Sequence, residues 1–279
     1  MTPLIINLAP TGLTSTQAQS AHLPLSPQAI ADDVGRCARL GASMAHLHAR
    51  GADGAASDDP AIFAEIITQV RAQAPDIVVV TTTSGRRSPD IDRRASSLFL
   101  EGPAKPDMAS LTLGSINFAS EANINPPATV MALARIMLER GVKPELEVFD
   151  LGMINFAKVL IDKGLIAPPF YFNILLGSPS GAQLDLNHVG TLVRDLPPQS
   201  VWSLAGIGRF QTRANGLGVM MGDGVRVGLE DNLWLDDDRA QLATNSQTVE
   251  RVVAVATAIG RPIATPAQVR KRLNLERAA

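Results

Sequence analysis

Short apolar runs recur eight times along this chain, and their alternation with longer stretches restricts its fold more than any other feature of the sequence. The runs are Leu4–Leu8, Met44–His48, Ile77–Thr81, Met108–Leu113, Leu146–Phe149, Tyr171–Leu175, Val201–Ala205 and Val225–Val227. Runs of this length bounded by turn residues read as buried strands. The stretches between them are helical or irregular, and long enough for the crossovers that parallel strands require.

The helical patterns carry their own punctuation. Ser26 is a plausible N-cap with Pro27 in the first turn, and Ile30, Val34, Cys37 and Ala38 follow at helical spacing before Gly41. Asp59-Pro60 opens a second helix carrying Ile62, Phe63, Ile66, Ile67 and Val70, which Pro75 stops. A late helix over Ser246–Ile259 presents Val249, Val252, Val253 and Ala256 on one face, and a short one follows Pro266. Eight strand-then-crossover units favour an α/β fold of the (β/α)8 TIM barrel type, with an open doubly wound sheet as the alternative. No linker or internal repeat divides the chain, so one domain over 1–279 with a C-terminal helical extension is expected.

Composition narrows the class. With 46% apolar and 19% charged residues the chain buries a large core. Lys+Arg 25 against Asp+Glu 27 gives a formal charge of -2, so no basic field draws nucleic acid or an anionic membrane surface. The single cysteine, Cys37, excludes an intrachain disulfide and reads as an inert core thiol in a reducing cytoplasm. No window approaches the roughly 18 to 20 apolar residues of a membrane span, and the first residues lack the basic region of a secretory signal. A soluble, cytoplasmic protein is expected. Neither common nucleotide fingerprint occurs: no GxGxxG follows the first strand and there is no GxxxxGK[ST].

In a (β/α)8 barrel the chemistry lies at the C-terminal strand ends. His46 and His48 close the second strand, and strand alternation points both imidazoles to one side. That pair suits Zn²⁺ if a third ligand comes from elsewhere, and Glu230, just beyond the eighth strand, is the best candidate. The same histidines would serve equally as hydrogen-bonding residues of a barrel mouth, with Glu230 and Asp231 a solvated loop pair. His22 and His188 read as surface residues. Other strand ends offer Asn7, the Thr81–Arg86 segment with Thr82, Ser84 and Gly85, then Ser110, Asn117, Glu147, Asp150 and Asn173, as substrate-orienting groups or ordinary caps. Glu147 would need a cation if buried, and Arg226 is a plausible partner. Two glycine loops, 177–181 and 206–209, offer backbone amides to phosphate, or are simply turns.

These motifs together, NLAPTG, HLHAR, TTTSGR, SINF, PELEVFD, GSPSG, AGIGR, RVGLEDN and RPIATPAQVR, run in order over nearly the whole chain. The sequence resembles the β-keto acid cleavage enzymes, whose best-known member acts on 3-keto-5-aminohexanoate. The resemblance implies a zinc-bearing barrel that converts a β-keto acid and acetyl-CoA into acetoacetate and a new CoA thioester. It implies His46, His48 and Glu230 as zinc ligands, and Asp231, Arg226 and Glu147 as a linked acid–base group with Asp231 as base. Thr82 and Ser110 fall where family members place substrate-binding hydroxyls, and Ser84 and Gly85 complete that loop. Gly206, Gly208 and Arg209 are the candidates for contact with CoA. Members that recognise a substrate amino group carry an acidic residue where this chain has Thr14, so a neutral or anionic substrate tail is expected; Arg86 and Arg87 read first as an exposed pair on the barrel rim and second as receivers of an anionic tail. A homo-oligomer also follows from the resemblance. The alternatives are a zinc hydrolase or aldolase on the same barrel without CoA, and a non-catalytic metal-binding barrel; the scarcity of further histidines argues against a hydrolase of the amidohydrolase kind.

Overall fold

Each apolar run becomes one stave of a closed barrel, because a strand covered on both faces needs apolar residues along its whole length. In a computed structural model that describes residues 1–275, the strands are β1 (Ile5–Leu8), β2 (Met44–Leu47), β3 (Val78–Thr81), β4 (Met108–Thr112), β5 (Lys143–Val148), β6 (Phe170–Leu176), β7 (Ser200–Gly206) and β8 (Gly224–Val227). They close in the order β1-β8-β7-β6-β5-β4-β3-β2, every pair parallel. The expected (β/α)8 barrel is therefore the fold, and the open sheet is excluded. Positions 276–279 of the expected domain lie outside the described residues.

Helices α1 (Pro27–Leu40) and α2 (Pro60–Gln73) start where the sequence predicts, the side chains of Ser26 and Asp59 accepting from Ala29 N and Ala61 N. Between β3 and β4 the chain forms α3 (Ile91–Arg94) and two 3-10 turns, over Ser96–Phe99 and Gly102–Ala104. Then come α4 (Pro127–Arg140), α5 (Leu151–Asp162), α6 (Leu186–Asp195), α7 (Gln211–Met221), α8 (Asn245–Ala258) and α9 (Pro266–Leu273). Thr244 with Gln247 and Thr265 with Gln268 form capping boxes that fix the starts of α8 and α9. No described helix is long and apolar enough to cross a membrane.

The bore has two levels. At the N-terminal end Ile5, Met44, Val78, Val80, Met108, Tyr171 and Val201 pack together with Val269 and Leu273 of α9. The expected C-terminal extension thus becomes the barrel floor, where each fully buried aliphatic side chain contributes about 1.5–3 kcal/mol. Arg270 of α9 locks it by donating to both oxygens of Asp107, at 2.8 and 2.9 Å. The opposite end is open and charged. Cys37 is buried against α1's neighbours, and burial pushes its thiol up to about 12, which fits an inert core role.

Candidate active site

Two residues beyond Met44 along β2, the bore changes from apolar to ionisable. His46 and His48 share one side of β2 as alternation requires, their Nε2 atoms 3.1 Å apart. Glu230 comes from the far end of the chain because β1 and β8 are neighbours, and its backbone N donates to Ala9 O at 3.1 Å. Its Oε1 lies 3.1 Å from His48 Nε2 and its Oε2 4.0 Å from His46 Nε2. Gly12 allows this approach: it sits at φ 67°, and a Cβ there would lie 2.6 Å from Glu230 Cγ.

Beneath this group lies Glu145, a carboxylate that the sequence reading passed over in favour of Glu147. Glu145 Oε2 accepts from His46 Nδ1 at 2.6 Å, and Oε1 accepts from Asn7 Nδ2 at 2.6 Å and Asn173 Nδ2 at 3.3 Å. The signal was present, since residues 145 and 147 are two apart on β5 and must both face the bore. Asn7 and Asn173 therefore serve a buried carboxylate rather than a substrate. Holding the Nδ1 proton, Glu145 leaves the lone pair of His46 Nε2 turned toward His48 and Glu230.

Arg226 is the hub of the charged level. It grips Asp231 with two bonds, Nε to Oδ2 at 2.9 Å and Nη2 to Oδ1 at 3.0 Å, and reaches Glu147 Oε1 at 3.2 Å and Glu230 Oε1 at 2.6 Å. Inward-facing glycines flank it on β8, and a Cβ at Gly224 would come 2.5 Å from Ser203 Oγ. Thr112 donates to Glu147 Oε2 at 2.7 Å. Arg226 and the imidazoles hold Glu230 well below the usual carboxylate range against the opposing effect of burial. Asp231 differs: burial raises it more than Arg226 lowers it, and Glu230 adds to the rise. The lowering expected from Arg226 is thus outweighed, leaving a carboxyl better matched to accepting a proton. Burial likewise raises Glu147.

The donor set fits a metal ion. One ligand atom each from His46, His48 and Glu230 can be chosen within 4.8 Å of one another, and Glu230 Oε2 is buried without a hydrogen-bond partner among the described residues. Burial pushes His48 down to about 4, so its imidazole is neutral and keeps a lone pair that could bind a metal. His46, also opposed by burial and Arg226, is nevertheless raised by Glu145 and Glu230, so the local field favours positive charge. Two imidazoles and a carboxylate are a donor set that suits Zn²⁺ in catalytic sites with an open position. His46, Glu145 and Glu147 also cluster, but the short Glu145 bond to His46 and the ties of Glu147 to Arg226 and Thr112 already occupy that set.

A cavity of about 240 Å³ opens above the group. Thr14, Thr82, Ser84 and Arg86 line it, as do His46, His48, Glu147, Arg226, Glu230 and Asp231. Several expected residues lie outside its wall. Ser110 is one level lower, its Oγ accepting from Thr83 N at 3.3 Å, and Thr112 takes the place at the wall. Gly85 packs against the Arg94 guanidinium, which leaves a Cβ only 2.7 Å from Nη1. The phosphate cradle expected at 206–209 is not open: Ile207 N donates to Leu176 O and Gly208 N to Asp231 O, while Gly206 is needed for the close approach of Phe210. Arg209 remains an exposed cation of that loop. In the other glycine loop, Gly177 N and Gly181 N are likewise bonded within the loop, to Ala182 O and Ser178 O. Asp150 caps α5, Asn117 sits in a small hairpin, and His22 and His188 are exposed. Arg50, unremarked in the sequence, is buried and ties Gly12 O, Ser15 O and Gly54 O together beside the site.

Comparison with known proteins gives a consistent picture. A family profile described as beta-keto acid cleavage enzyme matches residues 3–275. The chain is 36% identical to a 3-keto-5-aminohexanoate cleavage enzyme of Fusobacterium nucleatum, over 99% of this chain and 100% of that protein. It is 34% identical to a 3-oxoadipate:acetyl-CoA acetyltransferase of Cupriavidus necator, over 98% of this chain and 95% of the relative. Among solved structures, apo ObcA superposes with a TM-score of 0.81 at 22% identity, covering 93% of this chain and 66% of the ObcA chain, a likeness of fold.

Proposed function

The chain belongs to the beta-keto acid cleavage enzyme family, and we propose that it is a zinc-dependent transferase that exchanges acyl groups between a β-keto acid and acetyl-CoA. The products are acetoacetate and the CoA thioester of the remaining acyl chain. The observation that carries this reading is the grip of Arg226 on Asp231, Glu147 and Glu230 at the open end of the bore, beside two imidazoles.

His46, His48 and Glu230 would hold the zinc ion, which supplies Lewis-acid polarisation of a bound carbonyl and carboxylate. Asp231 takes the proton from the carbon between the keto and carboxylate groups. Arg226 fixes both oxygens of that carboxylate, so the base is aimed before the substrate arrives. Buried in a cleft, Asp231 has a raised affinity for the proton it receives. The carbanion forms a carbon–carbon bond to the acetyl carbonyl and expels CoA thiolate. The thiolate then adds to the original keto carbon, the bond between that carbon and the α-carbon breaks, and Asp231 returns its proton to acetoacetate. Thr82, Ser84 and Thr112 present hydroxyls to the cavity and would orient the substrate.

A homo-oligomer in the cytoplasm belongs to the same proposal; the exposed Leu186, Met220 and Met221 are the apolar side chains a second copy would cover. In that reading Arg209, exposed at the rim, meets the CoA phosphates. The test is to incubate zinc-loaded protein with a panel of β-keto acids, with and without acetyl-CoA. Equal amounts of acetoacetate and new acyl-CoA are expected; keto acid loss that does not depend on acetyl-CoA would overturn the reading in favour of a hydrolase or aldolase.

A further inference from the structure

We propose that Arg86 reads a second carboxylate at the far end of the substrate, so that the β-keto acid taken by this chain is a dicarboxylate. The inference rests on the reaction proposed above and adds the chemistry of the tail. Arg86 lies in the loop after β3 and lines the same cavity as His46, His48 and Asp231. Its guanidinium carbon sits 3.6 Å from the centroid of the Phe118 ring. Phe118 is itself held edge-to-face by the buried Phe149, with centroids 5.4 Å apart at 87°. A guanidinium held over a ring face can still offer the N–H donors of its fork to an anion, and the contact removes rotamer freedom that binding would otherwise cost.

The fork has no partner. The Arg86 guanidinium makes no hydrogen bond or ion pair among the described residues, although Glu230, Glu121 and Glu147 are near enough to favour its charge. The other arginines packed around the site are engaged. Arg50 donates to three carbonyls, Arg94 to Thr83 O and Asn125 Oδ1, and Arg226 to three carboxylates. A partly buried cation with open donors on a cavity wall calls for an anion in the ligand.

The alternatives fit less well. An ammonium tail needs an unclaimed carboxylate on the cavity wall, yet the three that line it, Glu147, Glu230 and Asp231, are bound to Arg226, Glu121 lies outside that wall, and Thr14 at the mouth is neutral. A purely apolar tail would leave the Arg86 fork unpaired on the cavity wall. Arg87, next in the chain, is exposed and outside this wall, so the choice between the two arginines falls to Arg86.

The test measures kcat/KM of the zinc-loaded protein with acetyl-CoA for 3-oxoadipate, for 3-oxohexanoate, whose tail is neutral, and for 5-amino-3-oxohexanoate, whose tail is cationic. A charge-assisted bond predicts that 3-oxoadipate exceeds 3-oxohexanoate by about 10- to 100-fold. Arg86→Gln should carry that ratio toward one, mainly through KM, while Arg87→Gln keeps it. A wild-type preference for the neutral or cationic acid, or an Arg86→Gln variant that loses all three alike, overturns the proposal. If no keto acid yields acetoacetate, the reaction reading fails and the subsite is judged by calorimetry with glutarate against butyrate. Tighter glutarate binding that Arg86→Gln abolishes supports the subsite, and equal binding of the two acids refutes it.

Discussion

The two ends of the barrel bore are built from the same strands, one step of alternation apart, and differ in almost every physical property. Ile5 lies below Asn7 on β1, Met44 below His46 on β2, and Tyr171 below Asn173 on β6. Each pair is separated by two residues, about 7 Å along a strand. The lower residues pack on Val269 and Leu273 of α9 and exclude water. The upper ones surround Glu145 and Arg226, where each buried charge is stabilised by opposite charge and hydrogen bonds rather than by solvent. The lesson is a division of labour: the floor supplies cohesion, and its rigidity lets the upper level hold like charges in fixed positions.

The sharpest way to break that contrast is His46→Ala. Zinc measured by elemental analysis should fall from one equivalent toward background, and turnover should drop at least ~10³-fold, because several kcal/mol of transition-state stabilisation goes with the ion. Full zinc occupancy in this variant would contradict the ligand assignment. Asp231→Asn keeps the shape but removes the base, so kcat should fall by about 10²–10⁴-fold with zinc still bound. An undiminished rate would place the base elsewhere.

Glu145→Gln probes the layer between the two ends. Losing the carboxylate that orients His46 should weaken zinc by about 10- to 100-fold, read by competition with a chelating dye. Unchanged affinity would mean that the bond from Glu145 does not set the geometry of His46. The smallest effect on the site is expected from the floor: Leu273→Ala should destabilise the fold by about 2–5 kcal/mol in denaturant, while kcat and zinc content of the folded protein stay within about two-fold. A large loss of kcat there would show that the two levels are coupled rather than separate.

How much of this was legible beforehand follows from how far apart the residues lie. The eight strands, the caps at Ser26 and Asp59 and the common direction of His46 and His48 are properties of neighbouring residues, and local pattern reports them. Glu145 was missed because periodicity marks it as inward-facing no more strongly than Glu147; only the partners differ, His46 for one and Arg226 for the other. Ser110 and Gly85 were expected at the wall because strand ends are where chemistry concentrates, but depth in the bore and the bulk of Arg94 set their places. The 206–209 loop reads as a phosphate cradle until its amides are seen bonded to Leu176 and Asp231 carbonyls.

What the sequence determined by itself was the architecture and the family, since apolar periodicity and an ordered string of motifs are one-dimensional information. What the tertiary structure alone decided was pairing: that Arg226 is shared by Asp231, Glu147 and Glu230, that Glu145 sits under His46, and that Arg86 rather than Arg87 faces the cavity without a partner. Charges act through distances of a few ångströms, and closure of the barrel brings residues 46, 145 and 226–231 within that range although the chain separates them by scores of positions.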